Sequence, residues 1–382
     1  MRPLLLSLVI VSGLAYAQKI VAPEKIPRKI KEIVDQPQVK QSLACEVHAI
    51  KPALNFGFRF QSGYVARVPL QQYRGPGHLW AVVAKVTPEG GDRRPAYLVN
   101  VVNLPNVTET KQLAELGGGY LLGEGRYAIE WTLVDDSSRV CRKNWSVDVA
   151  LQRSERKVRP AMAPYTVSEI ALPRSADMKP EKAGVQPLRV SVLLHAAPLF
   201  PRRTRLRSSD ILMLLGSLSA LLERLPVKSV RLGVFNLDQQ AEIFRSDAFA
   251  PDSLDQAADS LNRLELGHVD YKVLEKPRGN VELLVHLVNR ELTAETPSDI
   301  VLFMGPMSRY ADKAAPSVLE TQHGRMPHFF YFEFKPYFRR DANFPDSVAL
   351  MVSRLKGKTM VIHTPGEFAK AIAQVETRAD SR

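Results

Sequence analysis

Cysteine is scarce in this chain: Cys45 and Cys141 are the two in 382 residues. Two thiols at that spacing lack a zinc-ligand pattern, which argues against a structural metal centre built on cysteine. No Gly-x-Ser-x-Gly elbow occurs, so the common hydrolase nucleophile is missing, and Ser217 in Gly216-Ser217-Leu218-Ser219 falls inside an expected helix. The glycine run Gly117-Gly118-Gly119 lacks the spacing and strand context of a phosphate loop and reads as a turn. His323 and His328 lie too far apart in sequence to argue a zinc pair, and His286 reads as a packing residue on an amphipathic helix, Val281 to Leu292. Beyond Leu14 no apolar run approaches the ~20 residues a membrane helix needs. Internal repeats, low-complexity tracts and nucleic-acid recognition motifs are also missing. An enzyme, a nucleotide binder and a membrane-spanning protein are each disfavoured by what is not there.

What is present begins with an export signal. Met1-Arg2-Pro3 leads an apolar run from Leu4 to Leu14 and then Ala15-Tyr16-Ala17. One positive charge, a short hydrophobic region and a small-x-small end describe a secretory signal peptide cut after Ala17, before Gln18. The destination is the periplasm or the exterior. Export places Cys45 and Cys141 in an oxidising compartment, where the pair is expected to bridge, the alternative being two separately buried thiols. The formal net charge of +12 permits contact with anionic partners without identifying one.

The remaining organisation follows composition. Residues 18–43 are basic and interrupted by Pro23, Pro27 and Pro37, and read as a mobile arm in which Ile26, Ile30 and Val34 mark a broken helical face. Residues 44–152 read as an all-β sandwich. Asn55–Phe60, Leu79–Val86, Ala96–Val102 and Arg126–Val134 are β-branched and aromatic, and they are separated by turn clusters at Arg74–Gly77, Pro88–Asp92, Leu116–Gly119 and Asp135–Ser138. Cys141 and Trp145 belong on the return strand of the last hairpin. Residues 153–187 are a Pro-rich linker, residues 188–376 an α/β domain, and residues 377–382 a tail. In the α/β part, strand Leu188–His195, helix Ser208–Leu225, strand Ser229–Asn236, helix Ser253–Leu264 and strand Asp299–Pro306 alternate. They predict a doubly wound parallel sheet that binds at the carboxyl ends of its strands. An aromatic strand Pro327–Phe334, a helix Asp346–Leu355, a short strand Lys358–His363 and a helix Pro365–Val375 complete it.

Three stretches give this second part a family likeness: Val230–Asn236 as a second strand, Asp252–Asp259 as the helix after it, and Arg278-Gly279-Asn280 as a loop. With the order of elements, they resemble a von Willebrand factor type A domain, in particular the bacterial VWFA-related branch on secreted proteins. The resemblance covers ~180 residues and rests on pattern and topology. Gly123-Glu124-Gly125-Arg126-Tyr127 likewise resembles the corner of immunoglobulin-like domains, where a tyrosine hydroxyl anchors the turn. Family members with a metal-ion-dependent adhesion site use Asp-x-Ser-x-Ser, a Thr and an Asp to surround Mg²⁺ with oxygen. Here the aligned positions are His195, Ala197, Leu199, Gly279 and Met304, so the resemblance implies a degenerate site without metal or other cofactor.

In place of the metal the sequence offers cations. Arg202, Arg203, Arg205 and Arg207 run into Ser208-Ser209-Asp210, an expected helix cap, and Lys276 and Arg278 come from a neighbouring loop. Together with His195 and Ser209 they form a candidate rim for an anion, such as an acidic side chain of a protein partner. A solvated basic loop is the plainer alternative. The resulting expectation is an exported, non-enzymatic binding or scaffold protein with no nucleic acid partner. The alternatives are a structural envelope protein whose A-like domain only packs or oligomerises, and a divergent hydrolase.

Overall fold

A computed structural model describes residues 18–36, 41–107, 110–171, 187–200, 203–250, 253–267, 271–313, 319, 326–336 and 345–380; the side chains of 272 and 378–380 are not described. The chain divides into two compact units, one of residues up to 153 together with 159–171, the other of 154–158 together with 172 onward. The expected signal peptide, most of the expected linker, Arg202, Asp252 and His323 lie outside the described residues.

The first unit contains β1 (Lys19–Val21), α1 (Arg28–Asp35), β2 (Glu46–Leu54), β3 (Phe60–Pro69), β4 (Leu79–Pro88), β5 (Ala96–Asn103), β6 (Leu113–Leu122), β7 (Gly125–Asp135), β8 (Val140–Val149) and β9 (Val167–Glu169). They form two antiparallel sheets, ordered β1-β5-β4-β7-β8 and β2-β3-β6-β9. The two sheets meet through large side chains: Tyr64 of β3 packs edge-on against Trp131 of β7, with ring centroids 5.3 Å apart. Both are fully buried. Cys45 and Cys141 are joined in a disulfide with their Cα atoms 6.2 Å apart, as expected, and Cys141 and Trp145 sit on β8. The Tyr127 hydroxyl donates to the Gly123 carbonyl at 3.0 Å and also faces the Thr166 carbonyl at 3.1 Å.

Four expectations for this half need correction. The stretch read as a mobile arm is built into the unit: β1 pairs with β5, and Ile26, Ile30 and Val34 pack on Val83, Tyr97 and Val99. The prolines break the helix at its start, and burying its apolar stripe against the sheet still holds it. Asn55–Phe60 is a turn with only Phe60 in a strand, because the Asn55 Oδ1 accepts the Gly57 and Arg59 amides at 2.9 and 3.1 Å. Gly117–Gly119 lie inside β6 opposite Val65, Tyr64 and Gly63. A Cβ on Gly63 would sit 2.1 Å from the Gly118 carbonyl oxygen, so glycine here serves close backbone approach rather than a turn. Part of the expected linker, β9, adds to the second sheet beside β6.

The second unit contains β10 (Leu188–His195), α2 (Ser208–Leu222), β11 (Val227–Asn236), β12 (Ala241–Ser246), α3 (Leu254–Asn262), α4 (Tyr271–Glu275), α5 (Gly279–Leu292), β13 (Ile300–Pro306), β14 (His328–Phe334), α6 (Ser347–Arg354), β15 (Lys358–Ile362) and α7 (Pro365–Asp380). One six-stranded sheet runs β12-β11-β10-β13-β14-β15. All neighbours in it are parallel except the edge hairpin of β11 with β12. Leu193, Phe303 and Tyr331 share one face with α5 and α6, while Phe332 and Phe334 on the other face hold Phe368 of α7. A strand buried on both faces reads as a continuous apolar run, which is why Ile300–Met304 and Phe329–Phe332 show no alternation. α2 stops at Leu222, short of the expected Leu225, ahead of Pro226. α7 extends through the first residues expected as a tail.

Candidate functional site

The order of strands reverses direction at β10, whose chain neighbour β11 lies on one side and β13 on the other. Loops leaving the carboxyl ends of two such strands turn opposite ways and open a crevice between them. A shallow cleft lies there, lined by His195, Ala197 and Leu199 after β10, Leu237 and Asp238 after β11, and residues 306–310 after β13.

Its floor is built by packing. His195 ends β10, is 3% exposed and stacks on Phe235 at 5.2 Å. Its Nδ1 lies 3.0 Å from the Pro306 carbonyl, an acceptor, so Nδ1 carries the proton and Nε2 is left basic. Burial holds its pKa below the ordinary histidine value against the opposing pull of that carbonyl, Asp346 and Asp238, so the ring is neutral at pH 7. Gly305 permits this approach: it sits at φ +152°, and a Cβ there would lie 2.6 Å from the His195 carbonyl oxygen.

One buried carboxylate ties the wall to the sheet. Asp346 caps α6 by accepting the Ala349 amide at 2.8 Å, and it also accepts the Ser308 amide at 2.6 Å and the Tyr331 hydroxyl at 3.1 Å. The Ser308 hydroxyl turns to the Tyr310 carbonyl at 3.1 Å, and the Ser347 amide donates to that same carbonyl at 2.8 Å. The polar element of the rim is an ion pair, Arg309 to Asp238 at 2.6 Å, with the guanidinium 55% exposed. The Tyr310 hydroxyl is pushed up by burial and then by Asp238.

Of the residues expected at the site, His195, Ala197 and Leu199 line the cleft, while Arg203, Arg205, Arg207, Ser209, Lys276, Arg278, Gly279 and Met304 do not. Arg203 lies 3.5 Å from Asp210 and over the Phe200 ring, and Arg205 pairs with Glu265 at 2.8 Å. Arg278 donates to the Lys313 carbonyl at 2.9 Å. The expected helix cap also shifts. Ser208 is already helical, and Asp210, 1% exposed, accepts the Arg207 amide at 2.9 Å. The positive end of α2 is therefore answered by a carboxylate from within. Met304 is buried inside β13, and Gly279 opens α5 against the Gln240 side chain. Among the described residues no group of three or more His, Cys, Asp or Glu is placed to hold a metal ion.

Sequence reasoning missed Asp238, Ser308, Arg309, Tyr310 and Tyr331. Their only signal was position, directly after β11 or β13 or within the aromatic strand.

No family model matches the chain, and no curated protein matches it. Solved structures with some likeness include the putative ApaA protein of Bordetella pertussis, at 9% identity over 29% of this chain and 98% of that one, TM-score 0.20. A lipoprotein of Bacteroides thetaiotaomicron shows 10% identity over 32% of this chain and 94% of that one, TM-score 0.17. A calcium-binding mutant of Bacteroides uniformis beta-glucuronidase 2 shows 9% identity over 82% of this chain and 38% of that one, TM-score 0.20. Likenesses this slight carry no argument about this chain.

Proposed function

We propose that this is an exported, non-enzymatic binding protein: a signal peptide cut before Gln18, an immunoglobulin-like sandwich, and a metal-independent von Willebrand A-like domain that contacts a protein partner at the β10/β13 cleft. The observation that carries the reading is the strand order β12-β11-β10-β13-β14-β15, with an antiparallel edge and a cleft at its reversal point. The tyrosine hydroxyl on Gly123 and the inter-sheet Tyr64–Trp131 core support the immunoglobulin-like half. The disulfide fits export, and no helix among the described residues is long and apolar enough to cross a membrane. The cationic contact moves from the loop of Arg202–Arg207 to Arg309, the cation that lines the cleft. Leu199, Leu237 and Met307 supply apolar surface beside it.

The test places a photo-crosslinking residue at Met307, and in a second protein at the exposed Lys228 near the amino end of β11, in cells exporting the full chain. The reading expects one discrete adduct from position 307, lost in Arg309→Glu, and none from 228. Equal labelling at both positions, or an adduct indifferent to Arg309→Glu, would sink it. Mg²⁺ or Ca²⁺ should leave the melting temperature of the second unit unmoved; a saturable rise would restore a metal to the site.

A further inference from the structure

Gln18 is the residue that cleavage after Ala17 would make the first of the mature chain, and it does not lie on the surface. It is 4% exposed, immediately ahead of β1, which pairs with β5 from Lys19 onward. Its side-chain amide reaches into the sandwich: Nε2 donates to the Tyr64 hydroxyl at 2.5 Å, and Tyr64 is fully buried. Space for this group comes from β6, where a Cβ on Gly118 would stand 2.3 Å from the Tyr64 hydroxyl and 2.6 Å from the Gln18 Oε1. That Oε1 is buried with no hydrogen-bond partner among the described residues.

A free amino terminus at this place would be an ammonium at the edge of an aromatic interior, and burying an unpaired charge is strongly unfavourable. The Glu169 carboxylate faces the next residues of this strand, where it accepts the Ile20 amide at 3.2 Å. N-terminal glutamine has a chemical route that removes the charge.

We infer that Gln18 of the mature protein is a modification site, where the new terminus closes to a pyroglutamyl ring that seals β1 into the sandwich. This rests on the proposed cleavage before Gln18. The α-amino nitrogen attacks the side-chain Cδ, the new N–Cδ bond forms and the Cδ–Nε2 bond breaks. The amide nitrogen leaves as ammonia, carrying the proton shed by the amine. No oxidant, reductant or water is consumed. The step belongs to the freshly cut terminus, before β1 seats on β5, because in the folded unit the amide is held on Tyr64. The product is a neutral lactam whose carbonyl is an acceptor. Burial pushes the Tyr64 hydroxyl up and keeps it protonated, so it becomes the donor to that carbonyl.

Mass spectrometry of the protein exported from its full precursor tests this. The amino-terminal peptide should begin at residue 18, be lighter than the glutamine form by one ammonia, and resist amine labelling. A peptide beginning at residue 18 with a free, labelled amine overturns the ring and leaves the cleavage reading standing. A peptide beginning elsewhere overturns the cleavage reading itself. A pyroglutamyl peptidase supplies the second arm: it should release the ring from urea-unfolded protein and not from native protein. Equal release from both overturns the buried placement.

Discussion

Replacing Asp346 by Ala removes the acceptor of three hydrogen bonds at the wall of the cleft. The lost helix cap costs ~1 kcal/mol. The Ser308 amide and Tyr331 hydroxyl then lose a charged acceptor inside the protein, at ~1–3 kcal/mol each. Tyr331 keeps the Pro306 carbonyl at 3.3 Å, which places its share at the lower end. Together the loss is roughly 3–5 kcal/mol from the second unit. Asp346→Asn retains one carbonyl oxygen and should recover about half of it. The three tryptophans, Trp80, Trp131 and Trp145, all lie in the first unit, so their fluorescence follows that unit alone. Circular dichroism at the helical band follows the second, which holds nearly all the helix. In urea, Asp346→Ala should move the helical transition to lower denaturant and leave the tryptophan transition in place. A loss under ~1 kcal/mol, or an equal shift of both signals, would refute the role assigned to this carboxylate.

Three further outcomes are expected. Cys45→Ser with Cys141→Ser opens a loop with a sequence separation of 96 residues. The tryptophan transition should then fall by ~4–5 kcal/mol in the chain-entropy account, and an unchanged midpoint counts against the bond. Glu291, with a fully buried side chain, accepts Arg231 at 2.6 Å and Arg245 at 3.3 Å. Glu291→Ala leaves the Arg231 guanidinium without its carboxylate, while Arg245 keeps Glu242 at 3.2 Å and Asp247 at 2.9 Å, and it should cost ~3 kcal/mol by the helical signal, a loss below ~1 being refuting. His78 faces acceptors on both ring nitrogens, the Arg74 carbonyl at 2.9 Å and Asp136 at 3.0 Å, which raise its pKa, with Arg139 opposing. A raised value means that the folded state binds the proton more tightly. Its stabilisation is therefore full below the unfolded pKa of ~6.5 and is lost as pH rises through the folded one. His78→Gln should flatten that decline in the tryptophan transition, and an identical pH profile would contradict it.

Legibility differed by element. The alternation of strand and helix from Leu188 and the aromatic run Phe329–Phe334 were readable because strands buried on both faces carry long apolar runs. The Tyr127 hydrogen bond was readable from the resemblance of its corner to a known turn, and the disulfide from two cysteines in an expected export context. β12 escaped notice because it is a half-buried edge strand, and such edges carry little pattern. Gly117–Gly119 and Asn55–Phe60 exchanged roles, turn for strand. Local propensity favoured one state at each, and contacts made with Gly63 and by the Asn55 side chain decided the other.

Composition and periodicity by themselves determined that the chain is β-rich in its first half and alternates strands and helices in its second. They also placed His195, Ala197 and Leu199 directly after the first strand of that second half, and these three line the cleft. Only the tertiary structure decided which charges meet. Arg203 and Arg205 read as free cations along the chain, yet Asp210 and Glu265 stand beside them in the fold. Arg309, a single unremarked residue after β13, lines the cleft and is itself paired with Asp238 at 2.6 Å. Charge is a property of a residue, whereas its neutralisation depends on neighbours distant in the chain, 60 positions away for Arg205 and 71 for Arg309.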